Sequence, residues 1–155
     1  MIGPGVRASR VKWLLNLYPP FLFQGIKVQS ISDDFHTAKV LVKKSILTRN
    51  VMGTTFGGAL MSAADPFYPI LYWRSLVRKG EHLSVWLKSL DSAFLLPATD
   101  AVTFEFRLDP DKLQQARRDL DETGRADISD EISACFADGQ QVAHFKMISA
   151  LRLLG

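Results

Sequence analysis

Apolar residues recur along this chain with two different periods, and the switches between them mark its elements. Residues 9–18 place Val11, Leu14, Leu15 and Tyr18 at helical spacing, and Pro19-Pro20 ends that element, so a short lid or anchor helix is predicted. From Gly25 the period is two. The runs GIKVQSI and TAKVLVKKSIL alternate apolar and polar residues, with Ser32-Asp33-Asp34 between them as a turn. Residues 83–96 and the run DAVTFEFRL predict two further strands joined through Pro97, with Val102, Phe104 and Phe106 on one face. DPDKLQQARRDLDETG predicts a surface helix, with Asp109 as N-cap, Pro110 at its first position, a narrow stripe of Leu113, Ala116 and Leu120, and Gly124 as its stop. Finally, DEISACF and QQVAHFKMISALRLL flank Asp138-Gly139, a two-residue hairpin signal.

Between the second and third of these six strands lies one long apolar helix, residues 57 to about 78. Its apolar residues, among them Leu60, Ala63, Ala64, Phe67, Leu71 and Leu76, occupy more than one face, so it is expected to be buried on most sides. A sheet has to wrap it. The expected class is α+β, a curved antiparallel sheet around a central helix, in one domain over residues 1–155 with 1–24 as an N-terminal helix and lead-in. Pattern alone admits other topologies.

Composition narrows the function classes. At 155 residues, 47% hydrophobic and 23% charged, the chain has the makeup of an ordinary globular domain. Nineteen Lys and Arg against sixteen Asp and Glu give +3 without a basic run, so nucleic acid is not called for. A mildly basic surface fits recruitment of an anionic ligand such as a phosphorylated carrier. Cys135 stands alone, which rules out an intramolecular disulfide and fits a cytoplasmic location. The N-terminal stretch mimics a signal peptide, but Asn16, Pro19 and Pro20 interrupt it, and retention as part of the fold is expected. No window approaches the roughly 18 apolar residues of a membrane span. His36, His82 and His144 lack metal-ligand spacing and read as surface or core histidines. With no G-x-S-x-G elbow, phosphate loop or dinucleotide fingerprint, neither a metal nor a cofactor is expected.

Candidate chemistry concentrates in NVMGTTFGGALMSAADPFYPILY, residues 50–72. The first turn of a helix leaves about four N–H groups unbonded and carries partial positive charge, so the start near Gly57 is suited to a developing oxyanion. Equally, Gly57 and Gly58 can serve close packing of the helix on the sheet. Asp65 lies eight residues beyond Gly57, about 12 Å along a straight helix, too far for both to act on one substrate atom. It is either a functional acid or a residue at a kink, since Pro66 disfavours helical geometry before it and Pro69 removes the N–H that would bond its carbonyl.

The spacing N-x2-G-x2-F-G-G-x6-D of Asn50, Gly53, Phe56-Gly57-Gly58 and Asp65 resembles the hotdog thioesterases of the phenylacetyl-CoA type, whose pattern is N-x5-H-G-G-x6-D. GTTFGGAL…ADP, the loop Leu95 to Pro97 and the N-terminal helix are similar to a bacterial hotdog branch of unassigned activity related to the YiiD C-terminal domain. The resemblance implies an acyl-CoA or other acyl thioester as ligand. Asp65 would be base or nucleophile, Gly57 the carbonyl-polarising donor, and Asn50 would position substrate or water. It also implies a homodimer or higher homo-oligomer, in which the acid of one subunit meets the helix start of the other. Phe56 stands where the family has histidine, which puts hydrolysis in doubt and leaves acyl binding intact, so a non-catalytic acyl-binding protein is the alternative. Phe56 and Gly58 then belong to substrate binding. Ser84, Lys88 or Ser89 on the third strand would supply a replacement polar group, with Lys88 sharing its alternation face with Trp86, Leu90 and Phe94. Phe56, Met61, Phe67, Tyr68 and Tyr72 are expected to make the pocket apolar or aromatic. Arg49, Arg78 and Lys79 read either as contacts to coenzyme A phosphates or as solvated charges.

Overall fold

The computed structural model of the chain describes residues 5–154. Helix α1 (Ala8–Leu17) buries Ala8, Val11 and Leu15, and the diproline that ends it also starts something. Proline has a preset φ and no N–H to satisfy, which suits a first helical turn, and a short α2 (Pro19–Phe23) follows at once and buries Phe21. Strands β1 (Ile26–Ile31) and β2 (Thr37–Val42) form an antiparallel pair, closed by a turn in which the Ser32 hydroxyl accepts from His36 N and Thr37 N. The predicted second strand stops at Val42, and Ile46–Thr48 instead make a 3-10 turn capped reciprocally by Ser45 and Thr48.

Next come helices α3 (Gly57–Ala64) and α4 (Phe67–Leu76), strands β3 (His82–Phe94) and β4 (Val102–Arg107), helix α5 (Pro110–Thr123), and strands β5 (Arg125–Cys135) and β6 (Gln141–Leu154). The six strands form one antiparallel sheet in the order β1-β2-β4-β5-β6-β3. β4 and β5 pair only at Thr103↔Cys135 and Phe104↔Ala134. The sheet opens there and curves around α3 and α4. Phe67, Tyr68, Leu71 and Tyr72 pack into that curve against Phe104, Phe106 and Phe145, with rings such as Phe67 and Phe106 5.0 Å apart. The long buried helix of the sequence pattern is therefore present, and its wrapping sheet makes the α+β hotdog architecture.

Several local features differ in detail from the sequence pattern. Asp65 keeps right-handed helical geometry (φ −54°, ψ −64°) despite Pro66, because the flanking Ala63, Ala64, Phe67 and Tyr68 are all held in the core. What the prolines remove is the hydrogen-bond ladder, so the rod has a seam at 65–66, and it ends at Leu76, not 78. The β5–β6 hairpin closes through three residues rather than two: Phe136 N donates to Gln140 O, with Gly139 left-handed at φ 86°. Finally, a bulge between Leu87 and Ser89 inserts an extra residue into β3 and moves Leu90 and Phe94 to the face opposite that of Trp86 and Lys88.

The two outer strands are treated differently. The Asn16 side chain donates to Val28 O and accepts from Val28 N, at 3.0 and 2.8 Å, so an amide on α1 imitates a neighbouring strand and covers the edge of β1. Among the described residues nothing comparable covers the outer edge of β3.

Candidate functional site

The start of α3 is held in place from three sides. Phe56 N donates to Thr48 O, Thr55 N donates to Ala98 O, and Arg49 pairs with Thr55 in an isolated bridge. These bonds consume the backbone just before the helix. Gly57 N and Gly58 N, the first two N–H groups inside it, have no acceptor among the described residues. They carry the partial positive charge of the helix N-terminus. Each glycine also has a steric reason. A Cβ on Gly57 would come within 2.8 Å of the Phe94 ring, and one on Gly58 would overlap the ring of Phe56. Close packing thus accounts for both glycines, and it leaves their two N–H groups unbonded.

Gly57 opens into a cavity of about 790 Å³ lined by Asn50, Met52, Thr55, Leu60 and the run Phe94 to Thr99. The cavity is apolar, but not through the residues expected. Phe67, Tyr68 and Tyr72 are buried in the core instead, where the Tyr68 hydroxyl donates to Glu131 O and the Tyr72 hydroxyl donates to the buried Asp130. Burial, followed by the charge of Asp130, pushes the Tyr68 phenol up to about 12, and the same causes raise Tyr72 further. The apolar wall comes from Leu95, Leu96 and Pro97, where Leu95 N and Leu96 N both donate to Val142 O. Proximity to Asp65 along the chain points to Phe67, Tyr68 and Tyr72, whereas the Leu-Leu-Pro run is the signal that marks the wall.

Asn50 lies on the same cavity, yet its side chain is largely occupied. Its oxygen accepts from Met52 N and Thr54 N, and its nitrogen donates to Thr54 Oγ1 at 2.9 Å, which folds residues 50–54 into a tight loop. One amide hydrogen remains for a ligand. Asp65 is at the other end of α3, outside the cavity lining, as the eight-residue separation requires. Its carboxylate reaches solvent but has no hydrogen-bond or ion-pair partner among the described residues, and partial desolvation by the surrounding core raises its pKa from the ordinary 3.8. The shift has desolvation as its cause, and it favours the protonated form of this carboxyl relative to a fully solvated one.

The third-strand candidates lie on the outer face of the sheet, away from α3. Ser84 pairs with Arg152, whose guanidinium sits 5.4 Å from the Trp86 ring, while Lys88 Nζ pairs with Asp127 at 2.5 Å. Ser89 lies opposite Ile148. The hydroxyl on the helix-facing side is that of Ser92, opposite the buried Phe145, and it was missed because strict alternation cannot anticipate the bulge. Arg78 forms a two-pronged pair with Asp121. His144 joins Ser133 (3.2 Å) and Glu131 (3.0 Å) on the outer sheet face, opposite the face from which Phe94, the partner of the neighbouring Ala143, lines the cavity.

The sequence profile of the family described as "Domain of unknown function (DUF4442)" matches residues 7–148. No curated protein matches the chain by sequence. Among solved structures, a Pseudomonas aeruginosa protein of unknown function described as a "Probable Thioesterase" is 18% identical, with a TM-score of 0.83 over 96% of this chain and 97% of that one. A protein of unknown function from Chlorobaculum tepidum is 16% identical (TM-score 0.76, 97% and 99% covered). The Escherichia coli PaaI protein from the phenylacetic acid degradation operon is 17% identical (TM-score 0.62, 96% of each chain). At these identities the likeness is one of fold, and the fold is the hotdog.

Proposed function

We propose, since the chain belongs to the DUF4442 family and carries the hotdog fold, that it binds an acyl thioester such as an acyl-CoA and hydrolyses it. The observation that carries this reading is the helix start with its unbonded N–H groups at Gly57 and Gly58, of which Gly57 lines an apolar cavity of about 790 Å³. That is a donor placed where a thioester carbonyl develops negative charge, beside space for an apolar acyl group. Asp65 supplies the base. It takes a proton from water, the resulting hydroxide adds to the carbonyl carbon, and Gly57 N–H holds the oxyanion. Collapse then expels the thiolate, which is protonated to the free thiol, and leaves the carboxylic acid. The remaining amide hydrogen of Asn50 positions the substrate or the water, and Phe56, Gly58 and a third-strand residue complete the binding surface; Ser92 joins Ser84, Lys88 and Ser89 as a candidate for that last place.

Asp65 and Gly57 of one chain lie at opposite ends of α3, so the reaction calls for two chains, with the acid of one beside the helix start of the other. The uncovered edge of β3 supports a homodimer built by pairing that strand with its copy.

A second reading has its own observation. The histidine of the thioesterase pattern is replaced by Phe56, whose ring packs over Gly58 and offers no proton. In this reading the protein holds acyl thioesters without turning them over. One experiment separates the two: purified protein is assayed against a panel of acyl-CoAs with a thiol-detecting reagent, beside Asp65→Asn, which keeps the shape and removes the base. Hydrolysis predicts a loss of roughly 10²- to 10⁴-fold in turnover with binding retained. Equal rates in the two proteins end the catalytic role of Asp65, and binding without thiol release in the wild type selects the second reading.

A further inference from the structure

Charge is distributed unevenly along this chain. Residues 1–64 hold eight of the nineteen Lys and Arg but only two of the sixteen acids, Asp33 and Asp34, so the remainder of the chain is net acidic. Within the positive part, α2, the start of β1 and the segment after β2 meet around a depression of about 430 Å³ whose lining includes Leu22, Leu47, Lys27, Lys43 and Lys44. Its apolar members protrude. Leu22 and Leu47 are 54% and 70% exposed, and their neighbours Phe23 and Ile46 are 66% and 84% exposed. None of the three lysines has an acidic partner among the described residues.

Leaving four large apolar side chains in water forgoes the stabilisation that burial would give, and such clustering on a soluble domain marks a contact surface. The chemistry identifies the occupant. Apolar tips ringed by unpaired lysines suit the boundary of an anionic bilayer, where the tips enter the acyl region and the lysines remain among the headgroups. Leu22 and Leu47 rim the depression together with the lysines, while Phe23 and Ile46 lie outside its lining and are the more exposed neighbour of each, so the apolar surface extends beyond the depression itself. Topology keeps the surface free: it adjoins β1, the strand farthest in the sheet order from β3, so pairing at β3 leaves it uncovered. We infer that the surface formed by Leu22, Phe23, Ile46 and Leu47 with Lys27, Lys43 and Lys44 docks the protein on an anionic lipid membrane. This goes beyond the hydrolytic reading and does not depend on Asp65.

The test is co-sedimentation of the full chain with phosphatidylcholine vesicles, with and without phosphatidylglycerol. Binding is expected only with the anionic lipid and is expected to fall as salt rises. With about 1 kcal/mol per basic residue near such a surface, Lys43→Gln with Lys44→Gln should weaken partitioning roughly 30-fold. Phe23→Ser with Ile46→Ser should weaken it as well, with thermal unfolding and acyl-CoA hydrolysis unchanged. No vesicle binding, or equal binding to both vesicle types that ignores the lysines, overturns the inference. So does a fall in oligomeric mass in the Phe23 and Ile46 variant without vesicle binding by the wild type, which would assign the surface to a second copy of the chain.

Discussion

The acid at position 65 shows how position alone sets a side chain's properties. Asp65 has no partner among the described residues to stabilise its charge, and the nearby core raises its pKa by desolvation. An acid whose folded pKa is raised binds its proton more tightly in the folded than in the unfolded chain. Its contribution to stability is therefore fully present below about pH 3.8 and is lost as pH rises through the raised folded value. At pH 7 the charge is a net burden on the fold. Asp65→Asn should consequently raise the melting temperature near neutrality, and the gain should shrink toward zero as the two proteins are compared at pH 4 and below. Melting curves across that range check it; a variant that melts lower at pH 7 would mean that the carboxylate is stabilised by something other than its visible surroundings. The same raised pKa sets the acid limb of any hydrolysis, which should disappear as pH falls through it, since only the carboxylate can take a proton from water. Gly57 offers a second check at this scale. Gly57→Ala sets a Cβ against the Phe94 ring at 2.8 Å. Because that ring is half exposed and meets the core only edge-on at Phe145, it can yield at little cost, and the change should lower acyl-CoA affinity and turnover while leaving the melting temperature nearly unaltered, as binding titrations beside melting curves will register.

Elements report a different balance between local signal and tertiary demand. Asn16 makes both of its side-chain hydrogen bonds to Val28, and each is worth about 1 kcal/mol, with more lost when a partner is left bare. Asn16→Leu should cost roughly 2–3 kcal/mol in urea unfolding and uncover the edge of β1, promoting aggregation. An unchanged midpoint would show that water replaces the amide. Much of this level was legible in the sequence. The capping chemistry of α5 reads directly: Asp109 accepts from Asp111 N, and Gly124 sits left-handed at φ 70°. Apolar spacing located the central helix, and the glycines marked its start. What escaped were features set by long-range packing. Alternation along β3 holds only to Leu87, because the bulge is dictated by pairing with β6, and this hid Ser92 behind Ser89. Tyr68 and Tyr72 read as pocket residues because they lie in the segment around Asp65, but the curved sheet takes up both rings. Asn50 was legible as a member of the site, whereas the loop that occupies most of its amide depends on Thr54.

At the scale of the whole molecule, the sheet as formed by the described residues has one edge covered by a side-chain amide and one edge left open. β1 is covered by Asn16, whereas β3 runs thirteen residues as the other outer strand with Trp86 and Phe94 half exposed. A long uncovered strand is a template for pairing, and native proteins either blunt it or use it. Lys88 could have blunted it, but its charge is spent on Asp127 over the outer face of the sheet. The edge is thus available for a two-fold contact in which β3 meets a second β3 antiparallel, joining two six-stranded sheets into one. Sedimentation at micromolar concentration should give a mass of at least two chains. Hydrogen exchange supplies the finer readout. In a β3-paired dimer the outward N–H groups of β3 should exchange slowly, and they should become fast on dilution to the monomer, while β6, hydrogen-bonded on both sides within one chain, stays protected throughout. Fast exchange along β3 in a confirmed dimer would move the contact to another surface. A monomer at every concentration would separate the carboxylate of Asp65 from the helix start at Gly57 by about two turns of α3, and composite catalysis would have no place to occur.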